Sequence, residues 1–244
     1  GKYERYADEK TEALRRNPRW YEGLGLFAAT DAANAGFATP AEREALLARN
    51  FSDRLQRVSY SPFNQYFVLQ ALASLGAYDR ALHTVDDCWG GQLRYGATTF
   101  FEVFRPSWND CKLSDNDAPD TSLTHPWSAG VTKWLSEEVL GIKPQLPGFV
   151  RFAVKPRLAG SLTRVEGGVP TPRGIARASL DMTARRGSLT VPEGSEAEFC
   201  IPADGLRIGT IYLDGKPCAA DRTDDGYYRI SGIGAGRHAI RFDA

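Results

Sequence analysis

The chain has 244 residues, 42% of them hydrophobic and 25% charged, with 30 Lys+Arg against 30 Asp+Glu. This is the composition of a globular chain with a sizeable core, which excludes intrinsic disorder. A formal net charge of +0 argues against a nucleic-acid binder, which carries a basic surplus or stripe, and no apolar run approaches the roughly 20 residues of a membrane-spanning helix.

In chain order, residues 20–36 and 40–50 read as a first helical hairpin. Thr39-Pro40-Ala41-Glu42 is a capping box with Pro at the first helical position. Ser61-Pro62 opens a second hairpin, whose first helix carries Phe63, Tyr66, Phe67, Val68, Leu69, Leu72 and Leu75. Apolar nearly all round, that helix is expected to be buried, with its stop at Gly76. Tyr78, Ala81, Leu82, Val85 and Trp89 then mark one apolar face of the next helix. A further helix follows Pro126, with Val131, Trp134, Leu135 and Val139 on one face and a stop at Gly141.

After Pro147-Gly148 the hydrophobic period changes from 3.6 to 2. Val150, Phe152 and Val154 alternate with Arg151, Ala153 and Lys155, and Ala176, Ala178, Leu180 and Met182 alternate with polar neighbours. Short strands are expected at 187–191, 196–201, 208–213, 226–230 and 237–242, and Asp214-Gly215 is a hairpin-turn signal. The order, helices first and strands second, predicts an α+β chain of two units. Residues 1–148 form the helical unit and 149–244 an antiparallel β-sandwich.

The cysteines fall as Cys88/Cys111 and Cys200/Cys218. The pairs are too few for a disulfide scaffold, and they lack the short Cys-x2-Cys steps of a zinc site. Buried free thiols are the favoured reading, with local disulfides as the alternative. No cluster implies a metal or a cofactor. A single Met and an initial Gly1 point to a processed, excised or tagged chain.

Between the second hairpin and the helix after Pro126 lies a stretch of weak periodicity, crowded with aromatics and glycines. It contains Trp89-Gly90-Gly91, Gly96-Ala97-Thr98-Thr99-Phe100-Phe101-Glu102, Trp108 and Thr124-His125-Pro126-Trp127-Ser128-Ala129-Gly130. Loops of this kind carry binding groups, and aromatic platforms suit the apolar faces of sugar rings. Glu102, in an apolar setting, is either a general base or the partner of an arginine such as Arg105. His125 either binds a substrate hydroxyl or caps the following helix. Trp89, Trp108 and Trp127 are core residues or sugar platforms.

Taken with Ser61-Pro62-Phe63-Asn64-Gln65-Tyr66, Leu140-Gly141-Ile142-Lys143-Pro144, Pro147-Gly148-Phe149 and Gly168-Val169-Pro170-Thr171-Pro172-Arg173-Gly174, these motifs resemble, in order and spacing, the C-terminal part of α-L-rhamnosidases. That family is glycoside hydrolase family 78, and the resemblance covers about residues 20–180. It implies an (α/α)6 barrel of six helical hairpins followed by a β-sandwich, and hydrolysis of terminal α-L-rhamnosides with inversion. Glu102 matches the family's general base, His125 matches a histidine that contacts rhamnose, and Trp127 follows it as in the family. Phe101 stands where the family usually has Trp. Trp89 belongs to the same proposed pocket.

An inverting glycosidase needs a second carboxyl group as general acid, roughly 6.5–9.5 Å from the base, and the family carries it on the first half of the barrel. Five or six helices are legible here, half of a full barrel. The expectation is therefore the second half of a barrel plus its sandwich, with a rhamnose-containing glycoside as substrate and the missing N-terminal half as partner. No nucleic acid or membrane is expected. The alternatives are a non-catalytic sugar-binding or structural remnant, and another six-hairpin sugar hydrolase or lyase.

Overall fold

The computed structural model describes residues 1–59, 61–109, 121–203 and 206–243. The chain divides into two compact units, Gly1–Val131 and Thr132–Ala244.

The first unit is helical. It contains α1 (Lys2–Arg15), α2 (Leu26–Ala35), α3 (Pro40–Asn50), α4 (Pro62–Ser74), α5 (Tyr78–Val85) and α6 (Gly91–Tyr95). The expected capping box forms at α3: Thr39 accepts from Glu42 N–H, and the Glu42 carboxylate accepts from Thr39 N–H. Ser61 precedes α4, but its side chain makes no capping bond. Helix α1 buries no side chain. Its apolar residues Tyr3, Tyr6 and Leu14 recur at helical spacing but stay exposed.

Helix α4 lies against α2 and α5. It buries Val68, Leu69 and Leu72 fully, but the expectation that it is buried all round is corrected. Phe63 is 38% exposed and Phe67 36% exposed. One edge of the helix packs into the core. The other carries aromatic rings that lie on each other, with Phe63 and Phe67 edge to face at 5.3 Å.

Helix α5 does not stop at Val85. It widens into a π turn over Asp86–Gly90 and runs on into α6, so Trp89 and Gln92 lie close together on one continuous rod. After 3₁₀ turns at Pro106–Asn109 and Pro126–Ala129, α7 (Gly130–Trp134) crosses the boundary between the units. Gly130 is fixed by close approach: a Cβ there would stand 2.7 Å from Tyr66 Cγ on α4.

The second unit opens with a π turn at Leu135–Val139 and then consists of strands. These are β1 (Ile142–Pro144), β2 (Arg151–Val154), β3 (Arg164–Thr171), β4 (Gly174–Asp181), β5 (Arg186–Val191), β6 (Glu196–Pro202), β7 (Ile211–Leu213), β8 (Lys216–Cys218), β9 (Asp221–Arg222), β10 (Tyr227–Ile233) and β11 (Gly236–Phe242). They form a five-stranded sheet in the order β1-β2-β6-β10-β9 and a six-stranded sheet in the order β3-β4-β5-β11-β7-β8. Pairing is antiparallel except between β2 and β6, which run parallel from Arg151↔Glu196 to Val154↔Phe199.

Period-2 alternation turns Phe152, Val154, Leu180, Leu189, Phe199, Ile240 and Phe242 inward, all of them buried. The two sheets meet at Gly187, where a Cβ would come 3.2 Å from Phe199 Cζ. Val150, expected to start β2 as a core residue, is 41% exposed. Asp214 and Gly215, with φ of 52° and 78°, make the expected turn between β7 and β8. Gly141 has φ of +82°, and a Cβ there would lie 2.2 Å from the Lys155 carbonyl carbon, so no other residue fits that crossing.

Cys88, Cys200 and Cys218 are free thiols, which removes a Cys200–Cys218 disulfide. Cys111 lies outside the described residues. Burial pushes the Cys88 and Cys200 thiols up to about 12. Among the described residues, no helix is long and apolar enough to cross a membrane.

Candidate active site

Two stretches far apart in sequence are stitched together by backbone hydrogen bonds. His125 N–H donates to Phe100 C=O at 2.7 Å, and Glu102 N–H donates to Ser122 C=O at 2.8 Å. The Thr99 hydroxyl adds a bond to Leu123 C=O. Residues 99–102 and 122–125 thus run side by side, and the ends of the two aromatic-rich motifs become neighbours.

The same rod braces both stretches from behind. Gln92, buried, accepts from Phe101 N–H at 3.0 Å. Trp89 is 6% exposed, and its indole N–H donates to Ser128 C=O at 2.9 Å. Trp89 therefore holds the 3₁₀ turn after His125 instead of presenting a face to solvent. Phe101 is also buried, edge-on to Tyr95 at 6.1 Å between centroids. Both residues support the site from the core.

What the braced stretches present is small and specific. The Glu102 carboxylate is about one-third exposed, accepts from Ser122 N–H at 3.1 Å, and lies 3.8 Å from His125 Nδ1. That separation is too long for a direct hydrogen bond, so both groups retain capacity for a third. His125 starts the 3₁₀ turn but makes no side-chain capping bond, which removes the capping reading. Its ring instead leans on Trp127 at 4.3 Å between centroids. Trp127 is 47% exposed and stacks on Phe63 at 5.2 Å with planes 28° apart. A carboxylate, an imidazole and an open indole face thus share one surface, set in an aromatic surround. Trp108, the other tryptophan of the stretch, packs between Tyr95 and Phe104.

Of the residues expected from sequence, Glu102, His125 and Trp127 come together at the surface, and Phe101 and Trp89 lie beneath them. Gln92 is the bracing residue beside the candidate site that sequence reading misses. A lone Gln inside an apolar helix looks like a blemish in the pattern, and only its bond to the chain beside Glu102 reveals the role.

Comparison relates this α+β chain to glycoside hydrolases. The relatives are α-L-rhamnosidases. Residues 141–211 match the family model described as the bacterial alpha-L-rhamnosidase C-terminal domain. A curated alpha-L-rhamnosidase from Alteromonas sp. (strain LOR) is 38% identical over 133 residues, covering 53% of this chain and 14% of the relative. Among solved structures, the alpha-L-rhamnosidase from Dictyoglumus thermophilum superposes with a TM-score of 0.73 at 18% identity, over 91% of this chain and 26% of that one. The Streptomyces avermitilis alpha-L-rhamnosidase, solved with L-rhamnose, gives a TM-score of 0.68 at 18% identity, over 90% of this chain and 21% of that one. At this identity the structural likeness carries the fold alone. The chain spans about a quarter or less of the length of each of these relatives.

Proposed function

We propose that this chain is the C-terminal part of an inverting α-L-rhamnosidase that hydrolyses terminal α-L-rhamnosides. The helical residues, 1–148, supply the second half of an (α/α)6 barrel, and residues 149–244 supply its β-sandwich. Glu102 is the general base. His125 and Trp127 receive the rhamnose ring, the histidine at a hydroxyl and the indole against the apolar face. Phe101 and Trp89 form the floor beneath them.

The observation that carries this reading is the pairing of residues 99–102 with 122–125, which sets Glu102 3.8 Å from His125 beside an exposed Trp127. A base in an inverting enzyme needs room for one water on the sugar face opposite the leaving group, and the free capacity of this carboxylate fits that need. The general acid belongs to the first half of the barrel. The exposed ring edges of Phe63 and Phe67 are the surface such a half would cover.

The test is turnover of an aryl α-L-rhamnoside by the 244-residue chain, and by the complete enzyme carrying it. The isolated chain is expected to be inert, because a base without an acid forfeits roughly 10²–10⁴-fold at the departing oxygen. The complete enzyme is expected to turn over and to lose activity with Glu102→Gln. A complete enzyme that folds, binds rhamnose and hydrolyses nothing would identify the chain as a sugar-binding remnant instead.

A further inference from the structure

The chain as a whole is charge-balanced, but one surface of the second unit is not. Strands β3, β4, β5 and β11 carry five arginines (Arg164, Arg177, Arg186, Arg237 and Arg241) against two carboxylates, Glu166 and Asp181. These positions alternate with the buried residues of the same strands, so all of them fall on the outer face of the six-stranded sheet.

Within that face, Arg177, Thr190 and Arg237 stand in one cross-strand row, Arg177↔Thr190 on β4/β5 and Thr190↔Arg237 on β5/β11. Among the described residues, neither the Arg177 nor the Arg237 side chain makes a hydrogen bond or ion pair. Their Cα atoms are about 10 Å apart by strand spacing, which lets the two side chains converge on one group. Gly168 leaves room for the base of the Arg177 side chain: a Cβ there would stand 3.1 Å from Arg177 Cγ. One carboxylate, Glu166, also lines this groove, and it is paired with Arg164 at 2.6 Å. Beside the row, the Ser179 and Ser188 hydroxyls share a hydrogen bond at 2.7 Å. Arg177, Arg237, Thr190 and Ser188 line an open groove of about 420 Å³.

We propose that this groove binds a saccharide through an acidic substituent, a carboxylate or a sulfate ester, clasped between Arg177 and Arg237. Guanidinium forks match either oxyanion in bidentate fashion, and two unpaired arginines at this spacing repel one another until an anion sits between them. Thr190 and Ser188 offer donors and acceptors of the kind sugar hydroxyls use. A nucleic acid is the weaker fit. No Phe, Tyr or Trp is among the described residues lining the groove, so nucleobases would find no stacking platform. The proposal goes beyond the rhamnosidase reading and needs no hydrolysis, so the two fail separately.

The experiment is calorimetric titration of the 244-residue chain with five probes: an oligogalacturonate, its methyl ester, a sulfated neutral oligosaccharide of the same length, inorganic sulfate, and a single-stranded oligonucleotide. The acid or the sulfated sugar is expected to bind while the methyl ester does not, and the tighter of the two identifies the group. Arg177→Gln and Arg237→Gln are each expected to weaken that binding at least about tenfold with no change in melting temperature, since both side chains are exposed. The proposal is overturned if no probe binds, or if the methyl ester binds as well as the acid. It is equally overturned if both variants bind like the parent, or if inorganic sulfate or a single-stranded oligonucleotide outcompetes the saccharides.

Discussion

The proposed function asks different work of the neighbouring Glu102 and His125, and two substitutions in the complete enzyme separate them. Glu102→Gln keeps the shape and the bond from Ser122 N–H while removing the basic oxygen. It is expected to lower kcat by about 10²–10⁴-fold with little change in KM. On the same proposal His125→Ala removes a sugar contact made before and during reaction, so much of its effect is expected in KM. Steady-state kinetics and melting temperature measured together on both variants decide the matter. If activity per folded molecule stays near wild type in Glu102→Gln, the assignment of the base is wrong. The two residues were legible in the sequence because each belongs to a motif, Glu102 at the end of one and His125 near the start of the other. Their juxtaposition was not, since nothing in the spacing of 102 and 125 announces the pairing of residues 99–102 with 122–125. Nor did it announce that Trp89 and Phe101 would lie under the site, because an aromatic residue reads alike as platform or as floor.

At the scale of elements, the rod running from α5 through the π turn into α6 is the frame on which both stretches hang. Trp89 and Gln92 face the same way on it, one tying Ser128 and the other Phe101. Trp89→Phe keeps the ring volume largely in place but strands the Ser128 carbonyl. A loss of about 1–3 kcal/mol is expected, together with faster amide exchange at residues 126–129, read by hydrogen–deuterium exchange. Unchanged exchange there would mean the indole N–H is dispensable. Helices with an apolar stripe, and strands with clean alternation such as β2, β4 and β11, were visible in the sequence because burial imposes a period. Helix α1 buries nothing, and its stripe of Tyr3, Tyr6 and Leu14 is broken at Lys10, so its period is faint. Strand β3 was hidden by Gly167, Gly168 and Pro170, residues that speak against a strand locally and are accommodated by its place at the sheet edge.

For the molecule as a whole, the change from helix to strand was legible in the shift of period, but the pairing order of the strands was not. Stability should also have an acid limit set partly in the second unit. Lys155 and Thr223 donate to Asp225, and Ala239 N–H and His238 to Asp214, holding both carboxyls below the usual range. A carboxyl lowered in the folded state contributes its stabilisation above its ordinary value, near about 4, and loses it as pH falls through the folded value. Asp225 is about half exposed, so solvent screening keeps its share to about 0.2–1 kcal/mol. The melting temperature is expected to drop on acidification below pH of about 4, and to drop less in Asp225→Asn; an identical profile would show that the pair contributes nothing. The strand order bears as well on how such a unit is made. β10 lies between β6 and β9, β11 lies between β5 and β7, and β2 has to wait for β6 to run parallel beside it. The last two strands of this unit in chain order are therefore interior members of the two sheets. Neither sheet is complete until its late interior strand is in place, so the earlier strands of the unit keep open edges until β10 fills one sheet and β11 the other.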